Sequence, residues 1–173
     1  MSTLETTINK ATHMDAVTLR VGDLENMTSY YTSILDLDPI EEQSRNKEVH
    51  RVLGRRGVPL MRLIFTPDLP GVDSRQAGLY HTAFLFETPA SLAATVYRAA
   101  QDTRSRFVGS SDHLVSEAFY FTDPEGNGIE LYVDRPRSEW TYTGDDVDMT
   151  TVYLDPNAYL QKHLDQNILN ATN

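Results

Sequence analysis

Residues 112–132 read DHLVSEAFYFTDPEGNGIELY, and this stretch decides the fold. It predicts a strand that carries His113 and Tyr120, then the turn Asp-Pro-Glu-Gly-Asn-Gly at residues 123–128, then a second strand. Proline fixes φ and glycine accepts a positive φ, so both residue types suit a reversal of the chain. On the second strand Glu130 alternates with apolar neighbours, and in a curved sheet it would therefore point into a concavity. Glu130 is thus a candidate ligand.

One pattern of elements occurs twice along the chain. In the first copy a strand, a helix capped by Asp23 and further strands are predicted at residues 16–21, 24–35, 48–54 and 60–66. In the second copy a strand, a helix and three further strands are predicted at residues 80–86, 91–100, 105–109, 115–122 and 128–134. Each copy is interpreted as a β-α-β-β-β module, with residues assigned to three of the four strands in the first copy.

The two modules are expected to form one domain, because neither can bury both faces of its small sheet alone. The sequence predicts an α+β fold in which two βαβββ modules pair into a curved, barrel-like mixed sheet with a central cleft. The predicted boundaries are 1–12 for a flexible arm, 13–137 for the paired modules (about 14–68 and 78–135) and 138–173 for a C-terminal extension. In that extension Asp155 and Pro156 favour the start of a helix that runs to about Leu169.

Composition and charge exclude several classes of function. The chain has 173 residues, a formal net charge of −10 and no cysteine. The acidic balance argues against nucleic acid as a partner, because phosphate binding needs clustered Lys and Arg. The apolar runs are too short for a membrane span, and the Ser/Thr-rich start does not look like a signal peptide. A cytoplasmic location is predicted, and any metal would need His, carboxylate or water as ligands.

Five features between residues 113 and 130 carry a family resemblance: His113, Tyr120, Asp123-Pro124, Gly126 and Glu130. Their order and spacing closely resemble the extradiol ring-cleaving dioxygenase signature of the glyoxalase, bleomycin-resistance and dioxygenase superfamily, which has the vicinal oxygen chelate fold. Only Ser111, two residues before the histidine, departs from that signature. The resemblance covers most of residues 14–140. It is strongest to the amino-terminal half of catechol 2,3-dioxygenase-like proteins.

The resemblance implies a metal site at the centre of the paired modules, with ligands from the first and last strands of each. It implies that His81 and Glu130 bind Fe(II) or Mn(II), ions that accept such ligands. The first module offers Ala16 and Arg62 at the corresponding positions, so these residues are expected to line the pocket without coordinating. A facial triad of two histidines and one carboxylate would lack one histidine.

The resemblance also implies catalytic roles for two residues. His113 would assist oxygen chemistry with a hydrogen bond or a proton, and Tyr120 would orient a substrate oxygen. Structural interpretations stay open beside these roles: His81 as a core histidine, His113 as a turn cap, Tyr120 as a core aromatic residue and Glu130 in a salt bridge with Arg62.

Two functions therefore remain open from the sequence. One is a ring-cleaving dioxygenase for a catechol-type aromatic, using Fe(II) or Mn(II) and a third ligand that the sequence does not locate. The other is a metal-free protein of the bleomycin-resistance type, which has no cofactor and binds a small aromatic or hydrophobic molecule. Glyoxalase-type isomerisation would need two further ligands. A homodimer that replaces the second pair of modules found in longer relatives is also expected.

Overall fold

The first module is a four-stranded sheet with one helix. The computed structural model describes residues 12, 14–45, 48–73 and 75–170. Its first-module elements are β1 (Val17–Val21), α1 (Leu24–Leu35), β2 (Asp38–Arg45), β3 (Glu48–Arg55) and β4 (Val58–Phe65). The strand order is β1-β4-β3-β2, with β1 parallel to β4 and the other pairs antiparallel. Asp23 caps α1 as predicted, because its carboxylate accepts a hydrogen bond from the Asn26 N–H at 3.0 Å.

The second module repeats this arrangement. Its elements are β5 (Thr82–Leu85), α2 (Pro89–Gln101), β6 (Arg106–Asp112), β7 (Ser116–Thr122) and β8 (Gly128–Asp134). The order β5-β8-β7-β6 matches that of the first sheet, and β5 again lies parallel to β8. At the start of α2, Thr88 and Ser91 form a reciprocal capping box around Pro89.

The C-terminal extension continues the second sheet and ends in two helices. Its elements are a 3-10 turn (Arg137–Glu139), β9 (Tyr142–Thr143), β10 (Asp146–Val147), β11 (Val152–Tyr153), α3 (Pro156–His163) and α4 (Gln166–Asn170). Strand β11 pairs antiparallel with β6. Asp155 caps α3 as predicted, but the single predicted helix is interrupted at residues 164–165, because Asp165 caps a new helix through the Asn167 N–H at 2.8 Å.

The α+β class and the glyoxalase-like fold are confirmed, with two differences in detail. The strands of the two modules form two curved mixed sheets instead of one hydrogen-bonded barrel-like sheet, and β9 and β10 pair separately. Strand β2 was not predicted, because its sequence DPIEEQSR lacks the alternation of apolar and polar residues. An exposed strand at the edge of a sheet does not need that alternation. The predicted arm at residues 1–12 lies outside the described residues apart from Thr12. No helix in the described part of the chain is long and apolar enough to cross a lipid bilayer.

A pair of carboxylates joins the two modules. Asp123 and Glu125, which we call the inter-module clamp, belong to the predicted turn between β7 and β8 of the second module. The Glu125 carboxylate accepts hydrogen bonds from the N–H groups of Gly22 and Asp23 at 2.9 and 2.8 Å, at the start of α1. Asp123 accepts the hydroxyl of the buried Tyr31 at 2.8 Å. The clamp therefore fixes the β7–β8 hairpin against the first module.

Candidate functional site

Four side chains of the second module form one continuous chain of hydrogen bonds. His81 Nε2 lies 2.7 Å from Glu130 Oε2, and the Tyr120 hydroxyl donates to Glu130 Oε1 at 3.1 Å. His113 Nε2 lies 3.0 Å from the same hydroxyl oxygen. The structure thus brings together all four site residues that the sequence indicated in this module. Their roles in catalysis and metal binding stay predictions.

Strand alternation places two of these residues side by side. Ile129 and Leu131 are 2% and 1% exposed in the core, so Glu130 points to the opposite face of the sheet. Tyr120 lies directly opposite Glu130 in the β7–β8 ladder, where facing side chains are close enough to interact. We call the face that carries Tyr120 and Glu130 the site face. The alternation around Glu130 predicted this orientation correctly.

His81 reaches Glu130 because residue 128 has no side chain. His81 lies just before β5, beside the first residue of β8. A Cβ atom at Gly128 would come within 2.3 Å of the Tyr80 carbonyl oxygen and 3.1 Å of the His81 Cβ. Only glycine permits so close an approach of the two backbones. The sequence indicated Gly128 as a turn residue, and its packing role becomes visible only in the structure.

His113 lies in a loop and not, as the sequence predicted, on a strand. Strand β6 ends at Asp112, whose carboxylate accepts a hydrogen bond from the Leu114 N–H at 2.8 Å. Leu114 has a φ of 68°, so the chain reverses here in the left-handed region. His113 Nδ1 lies 2.9 Å from the carbonyl oxygen of Thr150 in the extension. Sequence reasoning missed Thr150, because a main-chain carbonyl leaves no signal in residue types.

The number of protons on these four side chains limits which of them can donate and which can accept. A carbonyl oxygen only accepts, so the contact of His113 Nδ1 with Thr150 is a hydrogen bond in the form of His113 that carries its proton on Nδ1. Tyr120 has one phenolic proton and cannot donate to Glu130 and to His113 Nε2 at once. Burial, followed by the charge of Glu130, raises the pKa of Tyr120 to about 12. Tyr120 therefore remains a hydrogen-bond donor at neutral pH.

His81 and Glu130 of the second module have matching positions in the sheet of the first module. Arg62 on β4 pairs with β1 in the same way as Glu130 on β8 pairs with β5, and Ala16 and His81 each lie two residues before the paired position. The expected correspondence of Ala16 with His81, and of Arg62 with Glu130, therefore agrees with the strand register. No hydrogen bond or ion pair joins Arg62 to Glu130 within the described residues, so the alternative salt bridge is not formed.

The donor set does not fit the facial triad that the resemblance implies. An alanine methyl group cannot coordinate, and the Arg62 guanidinium is cationic, so the matched positions supply one imidazole and one carboxylate. His113 contacts Tyr120 and Thr150. Across residues 12, 14–45, 48–73 and 75–170, no group of three or more His, Cys, Asp or Glu side chains is arranged to hold a metal ion. His13, a possible further ligand, lies outside the described residues.

Aromatic side chains border the chain of hydrogen bonds. One row on the site face crosses five strands in register: Leu85, Tyr132, Ala118, Ser111 and Tyr153. The Tyr80 ring, which is 87% exposed, lies 4.9 Å from the His81 ring. The rings of Tyr80, Tyr132 and Tyr153 offer a flat molecule both stacking surfaces and polar hydroxyl groups. A separate recess of about 370 Å³ between α1 and α2 shares no residue with this face.

The fold and this site define a class of proteins in which two βαβββ modules are paired and a strand glutamate lies beside a histidine. The family model of the Glyoxalase/Bleomycin resistance protein/Dioxygenase superfamily matches residues 13–131. The chain belongs to this superfamily.

Similar curated proteins include ring-cleaving enzymes. The chain is 32% identical over 163 residues to the catechol-2,3-dioxygenase of Bacillus subtilis (strain 168), covering 93% of this chain and 55% of that protein. It is 29% identical over 124 residues to biphenyl-2,3-diol 1,2-dioxygenase 2 of Rhodococcus globerulus, covering 68% of this chain and 60% of that protein. The chain thus spans between about half and three fifths of the length of these relatives.

Solved structures agree with the fold. A glyoxylase/bleomycin resistance protein/dioxygenase domain from Frankia sp. EAN1pec superposes with a TM-score of 0.64 at 21% identity, covering 72% of this chain and 98% of that one. The fosfomycin resistance protein FosX from Listeria monocytogenes, in complex with Mn(II) and sulfate, gives a TM-score of 0.56 at 15% identity, covering 73% of this chain and 95% of that one. At these identities the likeness shows the fold alone.

Proposed function

We propose that the chain is a binding module that holds a small catechol- or phenol-type molecule on the site face without a metal ion. The observation that carries this proposal is the hydrogen-bonded chain from His81 through Glu130 and Tyr120 to His113. It presents polar groups to a ligand hydroxyl, while Ala16 leaves the metal triad incomplete. The dioxygenase names of the curated relatives support an aromatic diol as the ligand class.

The polar groups of the site suit the hydroxyl groups of such a ligand. Each Glu130 oxygen has two lone pairs and uses one of them within the protein, on His81 or on Tyr120. A ligand hydroxyl can donate to a free lone pair, and a hydrogen bond to a charged carboxylate is stronger than one between neutral groups. The neighbouring rings of Tyr80 and Tyr132 would stack on the ligand.

A ring-cleaving dioxygenase is the second candidate function. The signature from His113 to Glu130 and the similarity to catechol-2,3-dioxygenase favour it. The metal would be Fe(II) or Mn(II), and it would need a ligand from outside the described residues, such as His13. Oxygen uptake by protein mixed with catechol and Fe(II) distinguishes the two candidates, since the binding module consumes no oxygen. A cytoplasmic location and a homodimer stay predictions under both.

Replacing Tyr120 with phenylalanine is expected to weaken ligand binding about tenfold, because the change removes one hydrogen-bond partner and leaves a Glu130 oxygen without its donor. Affinity for 4-nitrocatechol, followed by its absorbance, measures the effect. Tyr142→Phe is the matched control, since Tyr142 lies in the exposed β9–β10 hairpin. Equal affinities of wild type and Tyr120→Phe would contradict the assignment of Tyr120 to the ligand site.

Wild-type protein is expected to bind Fe(II) and Mn(II) weakly or not at all, because two protein ligands rarely retain a labile divalent ion. Ala16→His adds a third ligand and should raise iron affinity by about tenfold or more, most clearly in combination with Arg62→Ala. Calorimetric titration measures this, with Ala90→His on α2 as a control for the added imidazole. Near-stoichiometric transition metal in purified wild type would disprove the metal-free proposal.

A further inference from the structure

The C-terminal extension crosses the edge of the second sheet between two firm anchors. At one end the Trp140 indole N–H donates to the Arg135 carbonyl oxygen at 2.9 Å, and the Arg137 guanidinium lies 3.8 Å from the centre of the Trp140 ring. At the other end Tyr159 on α3 is 4% exposed, and its ring packs 4.9 Å from that of Phe119. The residues between these anchors are mostly exposed.

Within that span, residues 148–154, which we call the strap, contact the second sheet at specific points. The Thr150 carbonyl oxygen lies 2.9 Å from His113 Nδ1. Two residues later β11 begins to pair with β6, and the Ser110 hydroxyl on β6 donates to the Leu154 carbonyl oxygen at 2.8 Å. The position of the Thr150 carbonyl is therefore set by a short strand and a side-chain hydrogen bond just after it.

We propose that the strap is a positioning element that selects the Nδ1-protonated form of His113 and directs Nε2 at Tyr120. This inference rests on the proposed function, because it assigns the strap a role in preparing the same site for its ligand. A neutral imidazole carries its proton on either nitrogen, and the partner of one nitrogen decides the role of the other. The Thr150 carbonyl accepts a hydrogen bond from the Nδ1–H, which leaves Nε2 without a proton. Nε2 is then a second acceptor for the Tyr120 hydroxyl, in competition with Glu130 Oε1.

The Asp112 carboxylate, the competing partner for His113, is oriented toward other donors. Asp112 is the adjacent carboxylate, and a carboxylate would be a stronger acceptor than a carbonyl. One of its oxygens accepts from the Leu114 N–H at 2.8 Å and the other from Arg135 Nη2 at 2.6 Å. With Asp112 held in the hairpin in this way, the strap carbonyl is the acceptor on the Nδ1 side of His113.

The first measurement is independent of any ligand. The 173-residue protein with nitrogen-15 in its histidine rings is studied by NMR at about pH 8. The chain has five histidines, and His113→Gln identifies the signals of His113. We expect a protonated Nδ1 in the wild type. An unprotonated Nδ1 at His113 would overturn the inference.

The second measurement perturbs the strap without touching the site face. Ser110→Ala removes the hydroxyl that holds Leu154, while Ser110→Thr retains a hydroxyl. In Ser110→Ala we expect the ratio of Nδ1-protonated to Nε2-protonated His113 to fall about fivefold, and affinity for 4-nitrocatechol to fall by a similar factor. Ser110→Thr should restore both. A change in affinity without a change in the proton position would mean that the strap acts by another route, and the inference would be wrong.

Failure of the inference and failure of the proposed function give different results. If His113 has the expected proton position and responds to Ser110→Ala, but no variant binds 4-nitrocatechol, the positioning of His113 holds and the ligand class is wrong. If wild type binds 4-nitrocatechol while Ser110→Ala leaves both the proton position and the affinity unchanged, the proposed function holds and the role of the strap is rejected.

Discussion

Replacing Gly128 with alanine is expected to lower the free energy of unfolding by about 1 to 3 kcal/mol, the range of an overpacked site, and to separate His81 from Glu130. The added Cβ would come within 2.3 Å of the Tyr80 carbonyl oxygen, which cannot rotate away as the end of a side chain could. The segment before β5 must therefore move away from β8. Since His81 lies in that segment, the contact of His81 Nε2 with Glu130 Oε2 opens.

Urea unfolding measures the loss of stability, and the affinity for 4-nitrocatechol measures the loss of the site. Gly78→Ala is the matched control, since a Cβ there meets no atom within 4 Å and the change lies close to His81 in sequence. We expect the control to change the free energy of unfolding by less than about 1 kcal/mol. A Gly128→Ala protein as stable as Gly78→Ala would show that the two backbones are not in close contact.

Replacing Asp123 with alanine is expected to cost about 3 kcal/mol of stability, because one buried and two partly buried donors lose their acceptor together. Asp123 is 3% exposed and accepts the Tyr31 hydroxyl and the N–H groups of Glu125 and Asn127. Tyr31 is fully buried, and burial together with Asp123 raises its pKa far above the usual range. Its hydroxyl stays protonated and, without Asp123, would lack that hydrogen bond.

The measurement is again urea unfolding, with the exposed Asp146 replaced by alanine as the control. A double-mutant cycle with Tyr31→Phe isolates the contribution of the hydroxyl, since the cost of Asp123→Ala should be smaller when no hydroxyl needs an acceptor. Independent, additive effects of Asp123→Ala and Tyr31→Phe would refute the coupling between the two residues.

The parts of the fold that the sequence predicted are those in which local pattern and burial agree. Ile129, Glu130 and Leu131 alternate on a strand that has one face in the core, so the direction of the Glu130 side chain follows from its neighbours. The turn at residues 123–128 depends on proline and glycine, whose backbone preferences are local. The repeat of these patterns was sufficient to predict paired modules.

The features that the sequence did not reveal depend on contacts with distant parts of the chain. Strand β2 is formed by pairing with β3 at an exposed edge, where polar side chains cost little and no apolar alternation is needed. His113 was placed on a strand because the hydrogen bond from Leu114 to Asp112, which ends β6, depends on a backbone conformation that residue types indicate only weakly. The Thr150 carbonyl contacts His113 because of the path of the main chain, so the residue type at position 150 does not reveal the contact.

The inter-module clamp also joins parts of the chain that are far apart in sequence. Glu125 bonds to N–H groups of Gly22 and Asp23, which lie 103 and 102 residues away along the chain. Closing so long a loop is slow, and its entropic cost is met only when most of both modules is already in place. We therefore expect the β7–β8 hairpin, which carries Tyr120 and Glu130, to dock late in folding. A polypeptide still lacking its second half would leave the N–H groups of Gly22 and Asp23 without the Glu125 carboxylate, while the Asp23 side chain could still cap α1.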